Sequence, residues 1–252
     1  MSASTELQGM VAIVTGGGIN TGSVIARTLA GAGASVVVNY RASEVGALET
    51  VREIEAAGGK AFSWQADVCD SDAVLRMVEE TIKQFGPPDI LVNNANVRDY
   101  RPLMDVTIEE FRRTVTPTLE GALNCIKACV PHMRRVGSGA IINIGGGSGH
   151  TGVPNRVHVS AAKAGIAGMT GALAVELAPD QISVNNIVPG RIETPRPDHV
   201  VNEVKGREAS PMGRNCQQSE IAELVLFLAS RRCRYMSGQM LHVNGARYVT
   251  IA

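Results

Sequence analysis

Met10-Val11-Ala12-Ile13-Val14-Thr15-Gly16-Gly17-Gly18-Ile19-Asn20-Thr21-Gly22 is the stretch that decides how this chain folds. A short apolar run closed by glycines predicts a buried strand over 10–15. Val24, Ile25 and Leu29 follow at helical spacing, so the glycines form a tight turn that feeds a helix. Such a turn lets backbone N–H groups approach a phosphate and aims the positive end of the helix at its charge. Glycine turns of this kind also occur with no ligand, so the meaning of this one depends on the rest of the chain.

Outward from that stretch, β-branched runs recur over 34–40, 60–65, 89–93, 139–144, 182–188 and 240–243, separated by longer segments of helical period. The alternation predicts α/β architecture built from βαβ units, with a doubly wound parallel sheet of about seven strands and helices on both faces. Ile166, Met169, Leu173 and Leu177 recur at steps of three and four. They predict one apolar stripe on a helix that starts near residue 157 and is ended by Pro179-Asp180. Ser219-Glu220 opens a later helix whose Ile221, Leu224, Val225 and Leu228 face the core. A chain of 252 residues with 44% hydrophobic content fills one such domain, 1–252, and requires no second one.

Charge and cysteine content exclude several functions. Lys and Arg number 24, as do Asp and Glu, and no basic run exceeds two residues. A phosphate-tracking or membrane-attracting surface is therefore not expected, and neither nucleic acid nor membrane is an expected partner. The N-terminal MSASTELQGM has neither a basic nor an apolar leader region, and no apolar stretch approaches 18 residues. A cytoplasmic location is expected. The five cysteines lack CxxC spacing and read as reduced thiols, with Cys125 and Cys129 one helical turn apart as packing residues; no metal site is expected from the scattered histidines.

Further motifs accompany the glycine turn along nearly the whole chain. Asp67-Val68 follows the third strand and Asn93-Asn94-Ala95 the fourth; Ser160-Ala161-Ala162-Lys163-Ala164-Gly165 lies at the start of the long helix. Pro189-Gly190-Arg191-Ile192-Glu193-Thr194 follows the sixth strand, and Ser237-Gly238-Gln239 and Val243-Asn244-Gly245 close the chain. In these motifs the sequence resembles the short-chain dehydrogenase/reductase family, specifically its 3-oxoacyl reductase-like members, which implies a single-domain Rossmann-like fold. The resemblance also implies that Thr15, Gly16, Asn20, Gly22, Asp67, Val68, Asn93, Asn94, Pro189 and Thr194 line a dinucleotide site and that Lys163 holds the nicotinamide ribose. Asn39-Tyr40-Arg41 stands where an acidic residue would bind the ribose hydroxyls of NAD. Neutral Asn39 and cationic Arg41 favour NADP(H) over NAD(H); the alternative for Arg41 is an exposed turn residue. Asn20 and Asn96 occupy family glycine positions, which points to weakened or absent cofactor binding. Asparagine tolerates positive φ, so both exchanges are expected to keep the backbone path while adding a side chain near the cofactor. Ala246, at another glycine position, is a packing change.

In the family a tyrosine and a lysine four residues apart share a helix face, a serine thirteen residues earlier orients the substrate oxygen, and an asparagine supports a water linked to the lysine. Counting from Lys163 places Val159 at the tyrosine, Gly146 at the serine and, on aligning Phe111 through Gly121, Thr118 at the asparagine, directly after Pro117. Valine carries no exchangeable proton and glycine no hydroxyl. Losing general acid/base help costs about 10²–10⁴-fold, and losing oxyanion positioning adds to that. Lys163 is the surviving member of the set. Ser148, His150, Arg156, His158 and Ser160 lie near the expected mouth. His150 is the best replacement acid, since imidazole titrates near neutrality. Ser148 serves only if the glycine-rich loop shifts by two residues; His158 and Ser160 are each turned about 100° away from Val159 and read as surface or packing residues.

Selective loss within a retained scaffold predicts the non-catalytic subunit of a heteromeric dehydrogenase/ketoreductase acting on hydroxyacyl or oxoacyl (CoA-type) substrates. The resemblance implies a homologous short-chain dehydrogenase subunit as partner, in a homo- or hetero-oligomeric dimer or tetramer built through the helices containing 107–134 and 157–177. Two alternatives stay open. One is an active NADP(H)-dependent oxidoreductase with an unconventional proton donor, His150 or a water near Lys163; the other is a non-redox lyase or hydratase using Lys163 as base. Arg196, His199, Lys205 and Arg207, within 191–215, would meet an acidic group such as a CoA phosphate, or belong to a solvated loop.

Overall fold

All four side chains of Val11–Val14 are buried, and this run forms β1. In a computed structural model that describes residues 5–194 and 210–249, β1 sits inside a seven-stranded sheet. Its neighbours are β2 (Ser35–Tyr40) and then β3 (Lys60–Gln65) on one side. On the other side lie β4 (Ile90–Asn93), β5 (Gly139–Ile144), β6 (Ile182–Pro189) and β7 (Met240–Val243). Every pair is parallel, and Val14 stands opposite Val38 of β2 and Val92 of β4. The seven strands fall at the predicted positions.

Parallel strands covered on both faces read as unbroken apolar runs because alternate residues enter different layers. Val14, Val38, Val92 and Ile142 join one core with Ile25 and Leu29 of α1 (Asn20–Gly31), Ile54 of α2 (Glu44–Ala56) and Ile221, Val225 and Leu228 of α6 (Gln218–Ala229). Ile13, Val37, Leu91 and Ile141 enter the opposite core. There they meet Met77 of α3 (Ser71–Phe85), Cys125, Cys129 and Met133 of α4 (Ile108–Val136), and Ala174 and Leu177 of α5 (Val157–Leu177). The two layers give the Rossmann-like, doubly wound arrangement. Strand order reverses between β1 and β4, and the carboxyl ends of β1, β4, β5 and β6 open a cleft there, where such sheets bind ligands.

Local signals account for the helix boundaries. Asp70 caps α3 by accepting from the Asp72 and Ala73 amides, Thr107 and Glu110 form a capping box on α4, and Gly137 ends α4 at φ +69°. α6 begins one residue before the expected Ser219, because Gln217 pairs reciprocally with Glu220; Leu224 there is only partly buried. The α5 stripe also differs from expectation. Its buried face is Val159, Ala162, Lys163, Ile166, Thr170, Ala174 and Leu177, while Met169 and Leu173 are half-buried at its flank. α5 is apolar nearly all round, so hydrophobic spacing alone did not single out the face on the sheet. Among the described residues no helix is long and apolar enough to cross a membrane.

Asn20, the first residue of α1, has φ +52°. For most L-residues that conformation costs about 1–2 kcal/mol, a cost that glycine escapes. Asn20→Val should therefore lower unfolding free energy in urea by about 1–2 kcal/mol, with Asn20→Gly close to the parent. Equal stability of the valine and glycine variants would contradict the left-handed assignment.

Candidate functional site

The glycine turn is clamped from the opposite strand. The Thr15 hydroxyl donates to the Val92 carbonyl (3.2 Å) and accepts from the amides of Asn94 (2.9 Å) and Ala95 (3.1 Å). Asn94 returns its side-chain amide to the carbonyls of Thr15 and Gly16, both at 3.0 Å. A Cβ on Gly22 would lie 2.1 Å from the Gly16 carbonyl oxygen, so the chain folds over itself here in a way only glycine permits. No side chain caps the start of α1 and its first turn contains no acidic residue, which leaves that helix end open to the cleft.

Asn39, from the end of β2, is fully occupied inside the protein. Its Oδ1 accepts from the Gly16 amide (3.3 Å) and its Nδ2 donates to the Ala66 carbonyl (3.0 Å). Beyond it Arg41 is an exposed residue whose guanidinium lies 3.6 Å from the Asp67 carboxylate; the other Asp67 oxygen accepts from the Cys69 amide at 2.9 Å. Exposed pairs of this kind are weak. Arg41 and Asp67 therefore both stay accessible from the cleft, with Val68 beside them.

The cleft has a volume of about 1260 Å³ and runs from Arg41 past the glycine turn to Lys163. Val159, Gly146, Ser148, Pro189 and Thr194 also line it. Lys163 is buried and its Nζ donates to the Ile144 carbonyl at 2.8 Å. Burial, and after it the nearby guanidinium groups of Arg98 and Arg156, push the lysine down to about 7. One turn before it, Val159 presents only methyl groups. A Cβ on Gly146 would meet Lys163 carbons at 3.5–3.7 Å, ordinary contact, so the absence of a hydroxyl there is not imposed by crowding. Thr118 is buried in α4 and bonds its own helix at the Thr114 carbonyl (3.3 Å), directly after the in-helix Pro117.

Several sequence expectations need correction. His150 is not among the residues lining the cleft. Its ring packs against those of His242 (5.0 Å between centroids) and Tyr248 (6.3 Å), because the turn after β5 carries it toward the end of β7. Asn93 does not face the cleft either: it donates to Asn143 (2.9 Å), which donates to Thr170 (2.9 Å), tying β4, β5 and α5 together. Asn96 has no positive φ; its side chain instead bonds the Asn94 carbonyl at 2.6 Å. Of the two alternatives for His158, surface or packing, the structure shows the buried one. Arg196, His199, Lys205 and Arg207 lie outside the described residues.

Sequence reasoning missed Arg98, Tyr100, Arg113, Arg247 and Tyr248, all of which line the cleft. The Arg156 guanidinium lies 4.5 Å above the Tyr100 ring, and the Arg101 amide bonds the Asn155 carbonyl (2.8 Å), so the loops after β4 and β5 are joined across the mouth. For Arg98 and Tyr100 the available signal was position, since both follow the carboxyl end of β4 at the switch point, where such sheets bind ligands.

Lys163 also yields a stability test. Between about pH 7 and the usual lysine value of about 10.4, the unfolded chain holds a proton at this position that the folded chain does not, so stability rises with pH across that window. Lys163→Met should raise the melting temperature at pH 6.5 by about 4 °C or more, with the gain shrinking toward pH 10. A variant less stable than its parent at pH 6.5 would contradict this account of the lysine.

Comparison with known proteins identifies the scaffold. Residues 18–246 match the family model described as enoyl-(acyl carrier protein) reductase. The chain is 40% identical over 240 residues to the 3-oxoacyl-(acyl-carrier-protein) reductase FabG of Staphylococcus aureus, covering 94% of this chain and 98% of that one. It is 38% identical over 248 residues to an uncharacterized oxidoreductase of Methylorubrum extorquens (96% and 98% covered). It is also 36% identical over 242 residues to a 3-oxoacyl-(acyl-carrier-protein) reductase of Synechocystis (96% and 98% covered). With this likeness running through the sheet and the glycine turn, the chain belongs to the short-chain dehydrogenase/reductase family and is 3-oxoacyl reductase-like.

Proposed function

We propose that this chain is a cytoplasmic, nicotinamide-nucleotide-binding subunit with no ketoreductase turnover of its own. It pairs with a homologous, catalytically intact short-chain dehydrogenase/reductase that acts on oxoacyl or hydroxyacyl thioesters. The observation that carries this reading is the surroundings of Lys163: valine at 159, glycine at 146 and a carbonyl as its hydrogen-bond partner. None of these exchanges a proton with a substrate oxygen or orients one. The thioester class is taken from the relatives named as 3-oxoacyl-(acyl-carrier-protein) reductases.

The residues present fit a dinucleotide. The open start of α1, the close Gly16–Gly22 approach and the buried Thr194 hydroxyl with no hydrogen-bond partner form a seat for it. Gly16, Asn20 and Gly22 would hold the pyrophosphate, Asp67 and Val68 the adenine side, and Thr194 and Lys163 the nicotinamide side. Exposed Arg41 favours a 2′-phosphate, hence NADP(H). Bound, the nucleotide would supply hydride exchange and this chain's own residues would position it; Val159 and Gly146 bring neither a phenol nor a hydroxyl to the lysine end. Asn20 and Asn96 add side chains to the seat, which weakens binding without closing it.

Assembly is supported by the outward face of α5. Val157, Ala161, Ala164, Gly168, Ala172 and Val175 are exposed at steps of three and four, with Val157 at 45% and Val175 at 79% exposure. Small apolar residues in that pattern let another helix approach closely, and a homologous subunit offers a matching one. One observation favours a different reading: a buried lysine near 7 is a competent proton carrier. Lys163 acting alone would make the chain an unconventional oxidoreductase, or, if turnover does not depend on nicotinamide, a lyase or hydratase.

Purification of the tagged chain from its native source should recover a second short-chain dehydrogenase with serine, tyrosine and lysine intact. The isolated chain should reduce an acetoacetyl thioester with NADPH at least about 10²–10⁴-fold more slowly than the pair. A homo-oligomer with no such partner would defeat the subunit reading. Turnover abolished in Lys163→Ala would establish the lysine-based alternative.

A further inference from the structure

We propose that Tyr248, held by His242, is a ligand-binding residue of the cleft whose phenol hydrogen-bonds the 3-oxo or 3-hydroxy oxygen of an acyl thioester. The inference deepens the functional reading and rests on it for the thioester class. It assigns to the end of the chain an oxygen-binding role that Gly146, with no side chain, does not fill.

The phenol stands beside that position. Gly145, Gly146 and Gly147 follow β5 and line the cleft, as do Lys163 and Tyr248. A Cβ on Gly146 would meet Lys163 carbons at 3.5–3.7 Å. On the next residue, Gly147, it would stand 3.1 Å from Tyr248 Cε1 and 3.6 Å from the Tyr248 hydroxyl. The first of these distances is tighter than ordinary contact, so bare backbone at 147 is what makes room for the ring. The glycine run therefore has the lysine against one residue and the phenol against its neighbour.

Tyr248 is held there by the edge of the sheet. The Gly190 amide donates to the Val243 carbonyl at 2.8 Å, which fixes the end of β7 to the end of β6. Buried Asn244 then donates from Nδ2 to the Tyr248 carbonyl at 3.0 Å. The His242 ring meets the Tyr248 ring edge to face (5.0 Å between centroids, 83°), and the His150 ring lies nearly parallel to Tyr248 (18°). A group whose rotamer is locked by packing and by a scaffold strand binds a ligand atom with little further loss of freedom.

The chemistry of the pair matches both oxidation levels of the ligand. His242 Nδ1 and the Tyr248 hydroxyl lie 2.8 Å apart, and the direction of the bond follows the imidazole tautomer. With its proton on Nδ1, His242 donates to the phenol, whose own hydrogen is then free for a ketone oxygen. With its proton on Nε2, His242 accepts from the phenol, whose lone pairs then receive a ligand hydroxyl. Burial, opposed by Asn244, holds Tyr248 above the usual phenol value; burial, and after it nearby His150, holds His242 below the usual imidazole value. Both groups are therefore neutral near pH 7, the state in which the bond runs either way.

The test is calorimetric titration of the full chain with acetoacetyl-coenzyme A, 3-hydroxybutyryl-coenzyme A and butyryl-coenzyme A, the last of which lacks the oxygen. The first two should bind about fivefold more tightly than the third, the contribution of one net hydrogen bond. Tyr248→Phe should erase that preference while leaving butyryl-coenzyme A within about twofold of the parent, and His242→Phe should reduce it. In infrared difference spectra the bound acetoacetyl ketone should absorb at lower frequency in the parent than in Tyr248→Phe, a shift that a purely packing tyrosine would not produce. The proposal is overturned if no thioester binds saturably, if the oxygen brings no preference, or if Tyr248→Phe keeps both the preference and the ketone frequency. Recovery of a catalytically intact partner together with no preference would overturn this inference and leave the functional reading standing. A Tyr248-dependent preference together with ketoreductase turnover by the isolated chain would do the opposite.

Discussion

The clamp between the carboxyl ends of β1 and β4 is the constraint on which the rest of the cleft depends. Thr15 reaches across to Val92, Asn94 and Ala95, and Asn94 reaches back to the carbonyls of Thr15 and Gly16. These bonds fix the glycine turn at the place where the strand order reverses, and that turn in turn sets the direction of α1. Asn39 adds a third tie from β2. Buried amides and carbonyls are costly to leave unpaired, so side chains that pair them are hard to exchange without disturbing several neighbours. The polar residues of this region serve the backbone first. The seat proposed for a cofactor is thus held by bonds in which Val159 and Gly146 take no part.

At the other end of the cleft the exchanges are of a different kind. Val159 and Gly146 support no backbone bond of that sort, and Thr118 turns its hydroxyl onto its own helix. In the functional reading proposed, chemistry and architecture separate: one set of polar residues holds strands together, and Val159, Gly146 and Thr118 take no part in that clamp. Lys163 belongs to both, being bonded to the end of β5 and exposed to the field of two arginines.

The strands were legible because each is a short apolar run bounded by glycine or polar turns, and buried parallel strands have no other way to be written. The glycine turn was legible through motif spacing, and so was the placing of Arg41, Gly146 and Val159 on the cleft. What spacing could not convey was the direction of side chains in loops. His150 follows β5 closely in sequence, yet its turn packs it on His242 and Tyr248. Asn93 sits inside a motif of cofactor-binding character but spends its amide on Asn143. Arg98, Tyr100 and Arg113 converge on the mouth from a loop and a helix with no periodic signature. The outward face of α5 was obscured for the opposite reason, since its apolar residues cover nearly every direction.

The account holds that catalysis was removed by side-chain exchange within an intact frame, so restoring those side chains should bring it back. The direct measurement compares the parent with a variant carrying Gly146→Ser, Thr118→Asn, Val159→Tyr, Asn20→Gly and Asn96→Gly, following NADPH oxidation with an acetoacetyl thioester under single-turnover conditions. The account predicts a parent at background and a variant faster by about 10² or more. A parent that already transfers hydride as fast as the variant would contradict it.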